Sequence, residues 1–272
     1  MTVDLPGATP LGGGSICDAY RARSDGRPVF AKTLRNPPPG FFAAEERGLN
    51  WLAEVGAPVP EVLAVSDDRI VLEWIEPNAP TRQAAQSFGR DLADLHAHEA
   101  SSFGAGWPGY IGSLPMDNAQ TADDWPTFYA EQRLLPYLRL AVDDGAIDED
   151  GRRAVEEVCA RLPDLAGAPE PPRRIHGDLW SGNVHWASDG RVRLIDPAAH
   201  GGHRETDLAM LDLFGLPQLD AVLDAYQERF PLATGWEQRR PLHQLHPLLV
   251  HAALFGSSYG ARAGSVARAL LR

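Results

Sequence analysis

The chain has 272 residues, 44% of them hydrophobic and 23% charged, enough apolar material for one large core or for two lobes sharing a cleft, and too much for wholesale disorder. A formal net charge of −12 argues against a nucleic-acid partner, whose phosphates need a basic surface, and is compatible with an amine-bearing substrate. Two cysteines, Cys17 and Cys159, are too few for a disulfide framework and suit a reducing cytoplasm.

Residues 1–20 lack the basic start and apolar core of a secretory signal, and no apolar run in the chain approaches the ~20 residues of a membrane span. Residues 1–75 read as a small, sheet-rich unit. A turn-prone stretch, Leu11-Gly12-Gly13-Gly14-Ser15-Ile16, leads into Ala19–Ala22. The turn signal Ser24-Asp25-Gly26 follows, and then a strand over Pro28–Thr33 that carries Lys32. Pro37-Pro38-Pro39-Gly40 breaks the pattern. From Phe41 to Val55 the apolar positions Phe41, Leu49, Leu52 and Val55 fit a helix. Pro58 and Pro60 end it, and Val62–Val65 and Arg69–Trp74 follow as strands.

Glu76-Pro77-Asn78-Ala79-Pro80 suits a short, stiff linker, because proline fixes the backbone and removes donors. Helical patterns then dominate, over roughly 82–98, 123–142, 150–162, 204–214, 217–228 and 236–270. Short strands at Arg174–His176, Val184–Trp186 and Arg191–Ile195 interrupt them.

Those strands surround the most informative residues, His176-Gly177-Asp178-Leu179-Trp180-Ser181-Gly182-Asn183 and Leu194-Ile195-Asp196-Pro197. Asp178 can accept the proton of an attacking hydroxyl. Asn183 and Asp196 are hard oxygen donors that suit Mg2+ bridging nucleotide phosphates. The five-residue step from Asp178 to Asn183 is that of a kinase catalytic loop, so the chain reads as an ATP-dependent small-molecule kinase. On this reading Lys32 neutralises phosphate charge and needs an anchoring carboxylate. Glu45 and Glu46 are the candidates; Glu45 shares a helix face with Leu49 and Leu52 and is chosen. Gly12, Gly13, Gly14 and Ser15 would cover the phosphates with backbone N–H groups, although no Gly-Lys-Ser/Thr follows and the loop is no Walker motif. Backbone at Glu73 and Ile75 would meet adenine, and His176 and Asp207 would brace the loop. Only ten residues separate Asp196 from Asp207, too few for the long activation segment of a protein kinase.

His176–Val184, Leu194–Ala198, Gly202–Met210 and Trp125–Leu135 together resemble the fructosamine kinases, or ketosamine-3-kinases, of the aminoglycoside-phosphotransferase-like branch. The resemblance spans Gly12 to about Tyr259. It implies an α+β, two-lobed protein-kinase-like fold, with a small antiparallel-sheet N-lobe holding one main helix (residues 1–76) and a larger, mostly helical C-lobe (77–272). It also implies ATP- and Mg2+-dependent phosphorylation of the 3-hydroxyl of fructosamine or ribulosamine adducts, small or protein-bound, with Trp180 stacking on the sugar and His203 contacting its hydroxyls. Ser15 stands where some relatives carry cysteine, with Cys17 two residues on, which puts thiol-based regulation in doubt. A kinase of aminoglycosides or choline would use the same phosphate machinery, and a nucleotide-binding module without catalysis is the alternative of another class.

Overall fold

The structure is a computed structural model and describes residues 7–12 and 16–272. The N-terminal part is a five-stranded antiparallel sheet: β1 Thr9–Leu11, β2 Asp18–Ser24, β3 Arg27–Thr33, β4 Val62–Ser66 and β5 Arg69–Glu73, in the order β1-β2-β3-β5-β4. Asp25 and Gly26 turn β2 into β3 with φ of 49° and 78°, the two consecutive positive angles of a tight hairpin. Leu11, expected in a turn, closes β1 opposite Ala19. Among the described residues this part has one helix, α1 Phe41–Ala53, which lays Phe42 and Leu49 on Ile70 and Leu72 of the sheet.

The rest is mostly helical: α2 Arg82–Ala97, α3 Trp125–Phe128, α4 Leu135–Asp143, α5 Glu149–Leu165, α6 Glu205–Phe214, α7 Leu219–Arg229, α8 Trp236–Phe255 and α9 Ser257–Leu270. Thr81 and Asp148 cap α2 and α5 by accepting the N–H groups of Ala84 and Gly151. The pattern over 123–142 breaks into α3, a π-helical turn at Tyr129–Leu134, and α4. Pro136 has no N–H to offer the Gln132 carbonyl four residues back, and that carbonyl accepts from Arg133 Nη1 at 3.1 Å. The pattern over 236–270 is two helices, not one, parted at Gly256 (φ 95°).

Six short strands complete the described residues: β6 Gly109–Ile111, β7 Leu114–Met116, β8 Arg173–Ile175, β9 Val184–Trp186, β10 Val192–Leu194 and β11 His200–Gly202, paired as β6-β7, β8-β11 and β9-β10. The largest apolar core joins α3, α4, α5, α8 and α9 through Phe128, Tyr137, Val158, Leu245 and Ala263. A second core packs α2, α6 and α7 beneath β9-β10, with Phe88, Leu194, Leu208 and Tyr226 at its centre. Leu52 of α1 belongs to this second core, so the helix under the sheet is anchored on the floor of the catalytic loop. Among the described residues, no helix is long and apolar enough to cross a membrane.

Candidate active site

The β9-β10 hairpin sets the spacing of the site. Val184 lies opposite Leu194, so Asn183, just before β9, faces Ile195, and the Ile195 N–H donates to the Asn183 carbonyl at 3.1 Å. Asp196 is the next residue. Its φ of 53° is left-handed, a conformation that costs a non-glycine residue on the order of 1–3 kcal/mol and is kept where the surroundings over-determine it. Lys32 of β3 supplies that determination, with Nζ 2.7 Å from Asp196 Oδ1 and 2.6 Å from Glu45 Oε2. Glu45 is buried while Glu46 is half-buried, as the helix-face argument requires.

Asp178 is held from below. His176 N–H and Gly177 N–H donate to Asp207 Oδ2 and Oδ1 at 2.8 and 2.9 Å. His176 Nε2 lies 2.9 Å from the Ile195 carbonyl, which can only accept, so Nε2 carries the proton and Nδ1 accepts from Asp178 N–H at 3.3 Å. Burial keeps this imidazole neutral by lowering its pKa. Gly177 has φ 82°, and a Cβ there would lie 2.3 Å from the Ala198 carbonyl oxygen, so a side chain is excluded on both counts. Behind Asp207, His96 bonds Asp207 Oδ2 at 3.1 Å and Tyr226 Oη at 3.0 Å. His176 and Asp207 therefore hold the backbone of residues 176–178 from beneath.

Burial raises the Asp178 carboxyl to about 7, and neighbouring Asp196 pushes the same way against the Asn183 amide. Burial would also raise Asp196, but the Lys32 ammonium outweighs it and holds that carboxyl below its usual range. Glu45 is raised by burial, with Lys32 opposing. Asn183 Nδ2 donates to the Asp178 carbonyl at 2.8 Å and to its Oδ2 at 3.2 Å, which leaves the amide oxygen as the atom for a cation. The Asp196 carboxylate and the Asn183 amide oxygen are hard donors of the kind magnesium takes. With a buried ammonium beside them, they fit a metal–nucleotide pair.

Lys32, Glu45, Asp178, Trp180, Asn183 and Asp196 all line one cleft of about 500 Å3 between the sheet and the helical part. Gly12 lines it too; Gly13, Gly14 and Ser15 lie outside the described residues. Glu73 and Ile75 are not among its walls, and the Glu73 N–H is already taken by the Glu61 carbonyl at 2.9 Å. His203 is likewise absent from the walls: it is buried against Trp125 and His243, and burial lowers its pKa to about 3. Its neighbours are structural as well. Arg204 forks onto Glu170 at 2.8 Å, and Glu205 is forked by Arg239. The β6-β7 hairpin, unforeseen in the sequence, contributes Gly109, Tyr110 and Met116 to the cleft; its signal was the Gly112-Ser113 pair between two apolar runs. His185 and Phe30 are further wall residues with no signal beyond strand alternation.

The profile of the fructosamine kinase family matches residues 2–272. An Enterococcus faecium protein assigned as a ketoamine kinase is 37% identical over 259 residues, 93% of this chain and 91% of that one. A rice (Oryza sativa subsp. indica) chloroplastic protein-ribulosamine 3-kinase is 34% identical over 279 residues, 98% of this chain and 80% of that one. The crystal structure of a protein assigned as a fructosamine-3-kinase from Thermobifida fusca superposes with a TM-score of 0.93 at 53% identity, over 99% of this chain and 94% of the other. An aminoglycoside phosphotransferase, APH(4)-Ia, solved with AMP-PNP and hygromycin B, shares the fold alone: its TM-score is 0.68 at 18% identity, over 100% and 95% of the two chains. With its sheet-and-helix architecture and its cleft chemistry in place, this chain belongs to the fructosamine kinase family.

Proposed function

We propose that the protein transfers the γ-phosphoryl group of ATP to the 3-hydroxyl of ketosamines, the fructosamine and ribulosamine adducts of amines, with Mg2+ as the metal. The observation that carries this reading is the single cleft in which Asp178, Asn183, Asp196 and the Lys32–Glu45 pair meet, in a chain covered end to end by the family. Asp178, with a carboxyl raised toward neutrality, orients the sugar hydroxyl and takes its proton as transfer proceeds. Asn183 and Asp196 would hold the metal, which supplies charge neutralisation between the phosphates when bound. Lys32, positioned by Glu45, would meet the phosphate oxygens. Gly12, a wall of the cleft, would stand against them. Trp180, 40% exposed beside the catalytic loop, offers its indole face to the sugar. The chain divides for this purpose into a nucleotide-binding unit, 1–76, and a catalytic and substrate-binding unit, 77–272. Both cysteines are free, consistent with a cytoplasmic protein.

A panel of fructosyl-lysine, ribulosyl-lysine, choline and kanamycin, assayed by ADP release with and without Mg2+, tests the reading. Magnesium-dependent turnover of a ketosamine is expected. Preferential turnover of choline or kanamycin would remove the substrate assignment, and no turnover of any member would favour a nucleotide-binding module.

A further inference from the structure

Five large hydrophobic residues are exposed among the described ones, and two of them, Trp180 and Phe255, stand at the ends of a single row of rings. The Trp180 ring centroid is 6.2 Å from Phe214 at the end of α6, and Phe214 is 4.8 Å from His251. His251 is 5.4 Å from Phe255, one turn further along α8, and 5.0 Å from Tyr259 of α9. His251 Nδ1 donates to the Pro247 carbonyl at 2.8 Å, and burial lowers its pKa, so the ring stands in the row uncharged. The row begins on a ring that lines the reaction cleft. From Trp180 the row leads away from the cleft along α6 and α8, ending at Phe255 and Tyr259.

Trp180 and Phe255 are exposed and Phe214, His251 and Tyr259 are half-buried, so the row offers an apolar strip that a ligand leaving the cleft could lie along. Its continuity with the cleft selects the occupant. In a ketosamine the amine sits on C1, two carbons from the hydroxyl on C3, so a sugar seated on Trp180 must lead its amine and whatever the amine carries out of the cleft. Aromatic faces suit a secondary ammonium and an apolar stem together.

We propose that Trp180, Phe214, His251, Phe255 and Tyr259 form a binding strip for the amine-borne half of the substrate, selecting ketosamines whose carrier is an extended apolar or aromatic group over those with a small carrier. The strip rests on the ketosamine-kinase reading and determines specificity within it. The test compares kcat/KM for the fructose ketosamines of phenethylamine and of methylamine. The native protein prefers the phenethylamine adduct, and Phe255→Ala lowers that preference about fivefold, mostly through KM, an effect on the scale of one to two buried methylenes. Leu63→Ala, which removes an exposed hydrophobic residue on β4, leaves the preference intact. An unchanged preference in Phe255→Ala, with the methylamine adduct still turned over, overturns the strip and spares the kinase reading; no turnover of either adduct overturns both. A native dimer, seen by light scattering, that dissociates in Phe255→Ala with the preference unchanged assigns the row to self-association and also overturns the strip.

Discussion

Asp178 is a carboxylate placed where carboxylates are expensive. Burial and the adjacent Asp196 both disfavour its charge, and the Asn183 amide and the Lys32 ammonium favour it too weakly to offset them. Such a group is poised to take a proton near neutral pH, since its basicity rises with the cost of its charge. Asp178→Asn keeps the shape and removes the base, so kcat falls about 10²–10⁴-fold while nucleotide affinity and melting temperature hold. ADP-release kinetics and thermal denaturation check this, and a rate close to native would reject Asp178 as the base. Lys32 shows the same economy at the opposite wall. Burial would strip its proton, but Asp196 and Glu45 outweigh burial and keep the ammonium charged. Removing one carboxylate therefore loosens the lysine, while the remaining carboxylate loses a like-charged neighbour and keeps the ammonium to itself.

At the scale of elements, the short pieces matter most. Strands of three residues, β8 to β11, position Asp178, Asn183 and Asp196, because an antiparallel register fixes which residues face each other to within one position. The expected linker is not free chain: Pro77 pairs with Ala187, and Asn78 N–H and Ser188 N–H donate to the Trp186 and Glu76 carbonyls at 2.8 Å. Its prolines stiffen a segment that the β9-β10 hairpin already holds. Gly256 divides the last helical pattern with φ 95° and ψ −160°, a region essentially reserved for glycine. A Cβ there would meet no atom within 4 Å, so the cost of Gly256→Ala is purely conformational, about 1–3 kcal/mol. Chemical denaturation would show it as a lowered midpoint with an unchanged m-value; an unchanged midpoint would mean that α8 and α9 can join without strain.

For the whole molecule, the cleft lies between a sheet and a helical body, with wall residues drawn from both, so a metal–nucleotide pair bound there would tie the two together. Ligand that binds the folded state alone stabilises it by about 2.7 kcal/mol at a hundredfold excess over Kd, worth several degrees of melting temperature in a chain of this size. ATP with Mg2+ raises the melting temperature by that order. Chelation with EDTA, or Asp196→Ala, removes most of the gain. An equal shift with and without metal would show that the nucleotide binds without a bridge to Asp196. The net charge of −12 is spread over a surface whose cleft still holds a buried ammonium, so the bulk charge says little about the phosphate site.

Asp178, Asn183, Asp196, Lys32 and Glu45, which the structure brings to one cleft, could be singled out from spacing, because phosphoryl transfer needs particular atoms at short sequence separation and a helix face can be read from its period. The sheet, α1 and most of the helices were legible for the same local reason. His203 was not: it sits in a segment shared with the family, but its partners Trp125 and His243 come from α3 and α8, and only packing reveals that the ring turns inward. The hairpin at 109–116 and the pairing of β8 with β11 were equally hidden, since strands of three residues carry too little pattern to stand out and find their stability in partners supplied by the fold. The row from Trp180 to Phe255 joins residues that are neighbours only after α6, α8 and α9 have packed. The sequence by itself determined which chemistry the chain can perform, because that chemistry is written in residue types at fixed spacings; the tertiary structure decided which of those residues share a surface, because that depends on contacts between segments far apart in the chain.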